Sequence, residues 1–115
     1  MGYCIEFAVG GGVLRAIVSG RSRFADAIAS DIGTQARKNS VRRVLIDVRA
    51  LHDRLGRLRV LLADKHVPER IAVVDKDSND RHYVFAELAA QAKGYALRRF
   101  DGHAAALNWL YTPAD

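Results

Sequence analysis

The run Val44-Leu45-Ile46-Asp47-Val48 restricts the fold more than any other stretch of the chain. All but Asp47 are aliphatic, and the run is too short for a helix of its own. A strand that is apolar on both sides needs a covering layer on each of its faces. The surrounding patterns supply those layers. Tyr3 to Val9 alternates, with Tyr3, Ile5 and Phe7 on one face and Cys4, Glu6 and Ala8 on the other, which is the period of a strand. Gly10-Gly11-Gly12 then reads as a hairpin turn into a second strand, Val13 to Ser19, ended by Gly20.

Helical periodicity follows. Phe24, Ala27, Ile28, Ile32 and Ala36 predict an amphipathic helix from a Ser22 cap to about Lys38. After the apolar strand, Asp53, Leu55, Leu58, Leu61 and Leu62 mark a second helix, which Pro68 stops. Ile71 to Val74 is a short buried strand. Val84, Phe85, Leu88, Ala89 and Ala92 define a third helix ending at Gly94. Tyr95 to Phe100 is the last strand. Asp101 is expected to cap a final helix that carries Ala105, Leu107, Trp109, Leu110 and Tyr111 and stops at Pro113. The order β-β-α-β-α-β-α-β-α predicts one α/β domain over residues 1–115. It has an N-terminal hairpin, a mostly parallel sheet of about five strands, and four helices.

Composition narrows the setting. Half the chain is hydrophobic, 27% is charged and only two residues are proline, which excludes a disordered or low-complexity chain. A single cysteine, Cys4, excludes an intrachain disulfide and reads as a small, half-buried hydrophobe. No run of about 18 apolar residues is present, and Glu6 interrupts the early apolar stretch that a signal peptide would need. The expected compartment is therefore a reducing cytoplasm.

Chemistry-bearing residues group in a few places. The triple glycine leads into a strand and lacks the Lys-Ser of a phosphate loop. His52, His66, His82 and His103 show no metal-ligand spacing and read as solvated or loop residues, and no cofactor pattern is present. Ser78, Asp80 and His82 are the local trio for a hydrolase-like alternative. Positions 78 and 82 lie one helical turn apart, position 80 faces elsewhere, and Ser78 also reads as a helix cap. The favoured ligand surface lies at the C-terminal ends of two neighbouring parallel strands. One contributes Arg49, His52, Asp53, Arg54 and Arg57; the other contributes Asp75, Lys76 and Ser78.

The net charge is +5, with +6 in residues 1–60 and −1 in the remainder. Arg37, Lys38, Arg42 and Arg43 precede the apolar strand, and Arg49, Arg54, Arg57 and Arg59 follow it. A strand of this length puts the two groups roughly 20 Å apart. The split, with no aromatic residue interleaved, argues against a continuous nucleic-acid stripe and leaves a nucleic-acid accessory role as the weaker alternative.

Four stretches, in order and spacing, resemble the STAS domains and among them the SpoIIAA-like (STAS/SEC14-like) bacterial proteins. They are Val13-Leu14-Arg15-Ala16-Ile17-Val18-Ser19-Gly20, Val44-Leu45-Ile46-Asp47-Val48-Arg49-Ala50-Leu51, Glu69-Arg70-Ile71-Ala72-Val73-Val74, and Phe100-Asp101-Gly102-His103-Ala104-Ala105-Ala106-Leu107-Asn108-Trp109-Leu110. The resemblance implies a helix-layered sheet and a non-enzymatic binding or regulatory role. Family members that antagonise anti-sigma factors carry Asp-Ser-Ser-Gly after the apolar strand, and a kinase phosphorylates the first serine. The comparable residues here are Asp53-Arg54-Leu55-Gly56, and an arginine does not accept phosphate as serine does. The expectation is a binding module without that serine switch. Its ligand would be a partner protein, an anionic metabolite or a lipid, and its first strand offers an edge for pairing with a second copy.

Overall fold

Two glycines make the first connection of the sheet. Gly11 and Gly12 both take positive φ, 60° and 78°, as the type I′ hairpin turn demands. They join β1 (Tyr3–Gly10) to β2 (Val13–Gly20) in an antiparallel pair with Gly10 opposite Val13. The structure is a computed structural model and describes residues 3–20, 25–51, 69–75 and 81–113. The further elements are α1 (Ala25–Lys38), β3 (Arg43–Leu51), β4 (Arg70–Val74), α2 (Arg81–Lys93), β5 (Ala96–Phe100) and α3 (His103–Tyr111). The five strands lie in the order β1-β2-β3-β4-β5. β2 with β3, β3 with β4, and β4 with β5 are parallel pairs. The helix expected from Asp53 to Leu62 falls outside the described residues, which hold three helices. None of these helices is long and apolar enough to cross a membrane.

The apolar strand has its two covered faces. On one side, Leu14, Ala16 and Val18 of β2, Val44, Ile46 and Val48 of β3, and Ile71 and Val73 of β4 pack with Ile28, Ile32 and Ala36 of α1 and Ala90 of α2. On the other, Val13, Leu45, Ala72 and Val74 pack under Ala106 and Leu110 of α3. The two layers come from strand alternation, since neighbouring residues of β3 point to opposite helices. Among the described helices α3 covers this face, lying over β3, β4 and β5, and toward β1 it reaches only the hairpin, through Tyr111 and the Gly10 carbonyl.

That asymmetry explains a difference from the sequence expectation. Cys4 is exposed rather than half-buried, because it points to the open face of edge strand β1, whereas Tyr3, Ile5 and Phe7 pack against the α1 side. In α1 the buried stripe is Ile28, Ala29, Ile32 and Ala36, and Ala27 is exposed. Asp101 does not cap α3. Gly102 is the N-cap, with no side-chain cap bond, and the Asp101 carboxylate pairs instead with Arg99 at 2.8 Å.

Arginines from the sheet hold the other end of α3. Arg43 Nη1 donates to the carbonyls of Leu110 and Thr112. Arg70 Nη1 donates to those of Trp109, at 2.7 Å, and Thr112, at 2.9 Å. Carbonyls at a helix C-terminus lack the full set of intrahelical donors; that of Trp109 also accepts from the Thr112 amide, and a cation suits the negative end of the dipole.

The hairpin generates a test. Gly12→Ala is expected to cost about 1 kcal/mol, because alanine resists positive φ. Gly11→Ala is expected to cost more, since a Cβ there would lie 3.0 Å from the Tyr111 ring. Urea unfolding of Gly11→Ala, Tyr111→Ala and the double variant should give a non-zero coupling; purely additive losses would contradict the contact.

Candidate functional site

The one polar residue of the apolar strand organises the site. Strand alternation places Asp47 on the α3 side of the sheet, opposite Ile17 of β2 and Val74 of β4. Only 4% of its surface is exposed. A carboxylate so buried needs charged or hydrogen-bonded partners. The β2–β3 register supplies the first of them. Ile17 faces Asp47 but Ser19 faces Ala50, so β3 carries one extra residue at this point. Such a bulge bends the strand and re-aims a side chain. Arg49 turns back onto Asp47: its amide donates to Oδ1 at 3.1 Å, Nε donates to Oδ1 at 3.0 Å, and Nη2 donates to Oδ2 at 2.8 Å.

The third partner arrives from the far end of the chain. His103, the first residue of α3, places Nε2 2.7 Å from Asp47 Oδ2. Its Nδ1 lies 3.2 Å from Arg15 Nη2, on β2. The network assigns the tautomer. A guanidinium can only donate, so Nδ1 accepts, and Nε2 carries the proton that it donates to Asp47. Both ring nitrogens are therefore engaged. Unlike the histidine of a hydrolytic triad, this ring meets a guanidinium where a nucleophile would stand.

Burial pushes the Asp47 carboxyl upward, but the hydrogen bonds from the Arg49 side chain, His103 and the Arg49 amide outweigh it and hold the group at about 2, against an ordinary 3.8. Two guanidiniums and an uncharged imidazole surround one carboxylate, so the cluster keeps a positive excess. Arg49 faces solvent with 42% of its side chain. Its fork is fixed by Asp47, which lowers the entropy cost of meeting an anion or a partner carboxylate.

The residues singled out from sequence fare unequally. Arg49 lies in β3 rather than in the loop after it, because the strand continues to Leu51. Asp75 follows β4 and is fully buried. Its amide donates to the Phe100 carbonyl, and its own carbonyl accepts from Arg99 Nη1 at 2.8 Å. His52, Asp53, Arg54, Arg57, Lys76 and Ser78 lie outside the described residues, as do Asp80 and the side chain of His82. Arg15, Asp47 and His103 were missed. His103 in particular is a part-buried bridge, not a solvated loop residue, since α3 starts directly above the C-terminal half of β3. The available signal was Asp47 itself: a carboxylate inside an aliphatic strand implies a basic partner from elsewhere in the chain.

Neither a protein-family model nor a curated protein matches the chain. Among solved structures, it is similar to the crystal structure of an anti-sigma factor antagonist from Mycobacterium paratuberculosis. The TM-score is 0.63 at 19% identity, over 96% of each chain. The chain shares its fold with that protein, in keeping with the helix-layered sheet that the resemblance implied.

The lowered Asp47 carboxyl sets a pH window. Its contribution to stability is complete above about pH 4 and is lost as pH falls through about 2, where the folded-state carboxylate protonates. The loss amounts to about 2 kcal/mol. Chemical denaturation of the wild type between those pH values should show it, and Asp47→Asn should flatten the slope. An equal slope in both chains would contradict the network.

Proposed function

We propose that this chain is a non-catalytic regulatory module that binds a protein partner at the C-terminal edge of its parallel strands. The partner class is an anti-sigma factor. The observation that carries this reading is the match, over 96% of each chain, to an anti-sigma factor antagonist. The local chemistry agrees with it. Arg49 is anchored and part-exposed at that edge. Arg54 and Arg57 follow it in sequence, and Lys76 and Ser78 follow the neighbouring strand; Asp75, which precedes them, is buried and takes no part in the surface. A docking surface asks for fixed polar groups, and the ring of His103 has no nitrogen left for acid–base work. In the proposed mechanism, binding is not switched by serine phosphorylation, because Asp53-Arg54-Leu55-Gly56 offers no hydroxyl.

Calorimetric titration with the anti-sigma factors of the same organism tests the reading. One of them is expected to bind, and Arg54→Ala is expected to weaken that complex about tenfold, or 1.4 kcal/mol, with little change in thermal midpoint. After incubation with ATP and the bound anti-sigma factor, mass spectrometry should find no phosphate on residues 49–56. Failure of every candidate to bind at micromolar concentration would reject the partner class. Phosphate in that segment would reject the absence of the switch.

A further inference from the structure

The second surface lies on the same face of the sheet but at its opposite edge, where β5 meets α3. Arg98 is exposed on edge strand β5. Its guanidinium carbon sits 5.6 Å from the Phe100 ring centre and 5.7 Å from that of Trp109. Arg70, on β4, lies over the same indole at 5.2 Å. Phe100 and Trp109 pack with ring centres 5.6 Å apart at 40°. Two cations thus share one aromatic platform assembled from β4, β5 and α3.

Neither cation makes a direct salt bridge with a carboxylate among the described residues, although Glu69 feels the charge of Arg70 through space. Arg70 donates only to main-chain carbonyls of Trp109, Thr112 and Pro113. Arg98 has no hydrogen bond or ion pair there. The nearby acids are already engaged, Glu69 with Arg43 and Asp101 with Arg99. Held against the aromatic rings, Arg98 keeps its planar donors for a carboxylate in a set orientation, whereas Arg70, whose Nη1 and Nη2 already serve carbonyls, adds chiefly its charge. Tryptophan and arginine are also the side chains most enriched at energetic centres of protein interfaces.

We infer that Arg98 and Arg70, arrayed on Trp109 and Phe100, form a docking site for an acidic, extended segment of a protein. Geometry sets the spacing of its carboxylates. The two guanidinium carbons are at most about 11 Å apart, from their distances to one ring centre. Residues two positions apart on an extended chain point the same way and are separated by about 7 Å. A segment with acidic residues at that interval therefore reaches both cations. Single-stranded nucleic acid fits less well, because base stacking needs an open aromatic face and two guanidiniums lie over this indole. The site shares no residue with the Asp47 cluster and stands without the proposed function.

Trp109 is the only tryptophan in the chain, so its emission reports on this site alone. The full chain would be titrated, by fluorescence and calorimetry, with a peptide of alternating Glu and Ser, with its Gln counterpart and with oligothymidine. The Glu peptide is expected to give a saturable emission change and heat, weakened about tenfold by Arg98→Ala and by raising salt from about 0.05 to 0.5 M. Arg54→Ala is expected to leave it unchanged, and unaltered far-ultraviolet dichroism would establish that Arg98→Ala is folded. No saturable binding of the Glu peptide, equal binding by folded Arg98→Ala, or tighter binding of oligothymidine would overturn the inference.

Discussion

A single buried carboxylate ties the sheet to its last helix. Asp47 occupies a position where every neighbour along the strand is aliphatic, and an unpaired charge there would cost several kcal/mol. The chain answers with partners from three places: the bulged turn of its own strand, the start of α3, and, through the histidine ring, β2. Alternation alone puts Arg49 on the face of Asp47, and the extra residue in β3 turns its backbone N–H to the carboxylate where a regular strand would send it into the ladder. Local irregularity and burial are thus parts of one solution.

The same cluster also determines what this edge of the sheet offers. An imidazole between a carboxylate and a possible nucleophile is a base; between a carboxylate and a guanidinium it is a strut. The positive excess that reaches solvent belongs to arginines whose side chains are already oriented. This is a surface suited to recognition.

Much of this architecture was legible in the sequence. Alternation in Tyr3–Val9, glycines before Val13 and after Ala92, and the aliphatic runs of β3 and β4 each reflect a local rule, and the described elements follow them within a few residues. The site was less legible, because its contacts are non-local. Arg15, Asp47 and His103 are separated by tens of residues, and nothing in the spacing of histidines singles out His103. Likewise, the basic clusters flanking the apolar strand hold no aromatic residue, yet elsewhere the fold lays Arg70 and Arg98 over Trp109. The cap assigned to Asp101 failed for a similar reason. A competing cation, Arg99, was close enough to take the carboxylate.

The arginine clamps on α3 also bear on the order in which the molecule comes together. The helix has only nine residues, too few to persist alone in water. Its bonds to the sheet span 88 residues from Arg15, 67 from Arg43 and 39 from Arg70. Each closes a long segment of chain, and the entropy of closure rises with that length. The contacts become affordable only once β2, β3 and β4 are aligned. α3 is accordingly the closing element of assembly, and its docking covers β3, β4 and β5 on one face of the sheet.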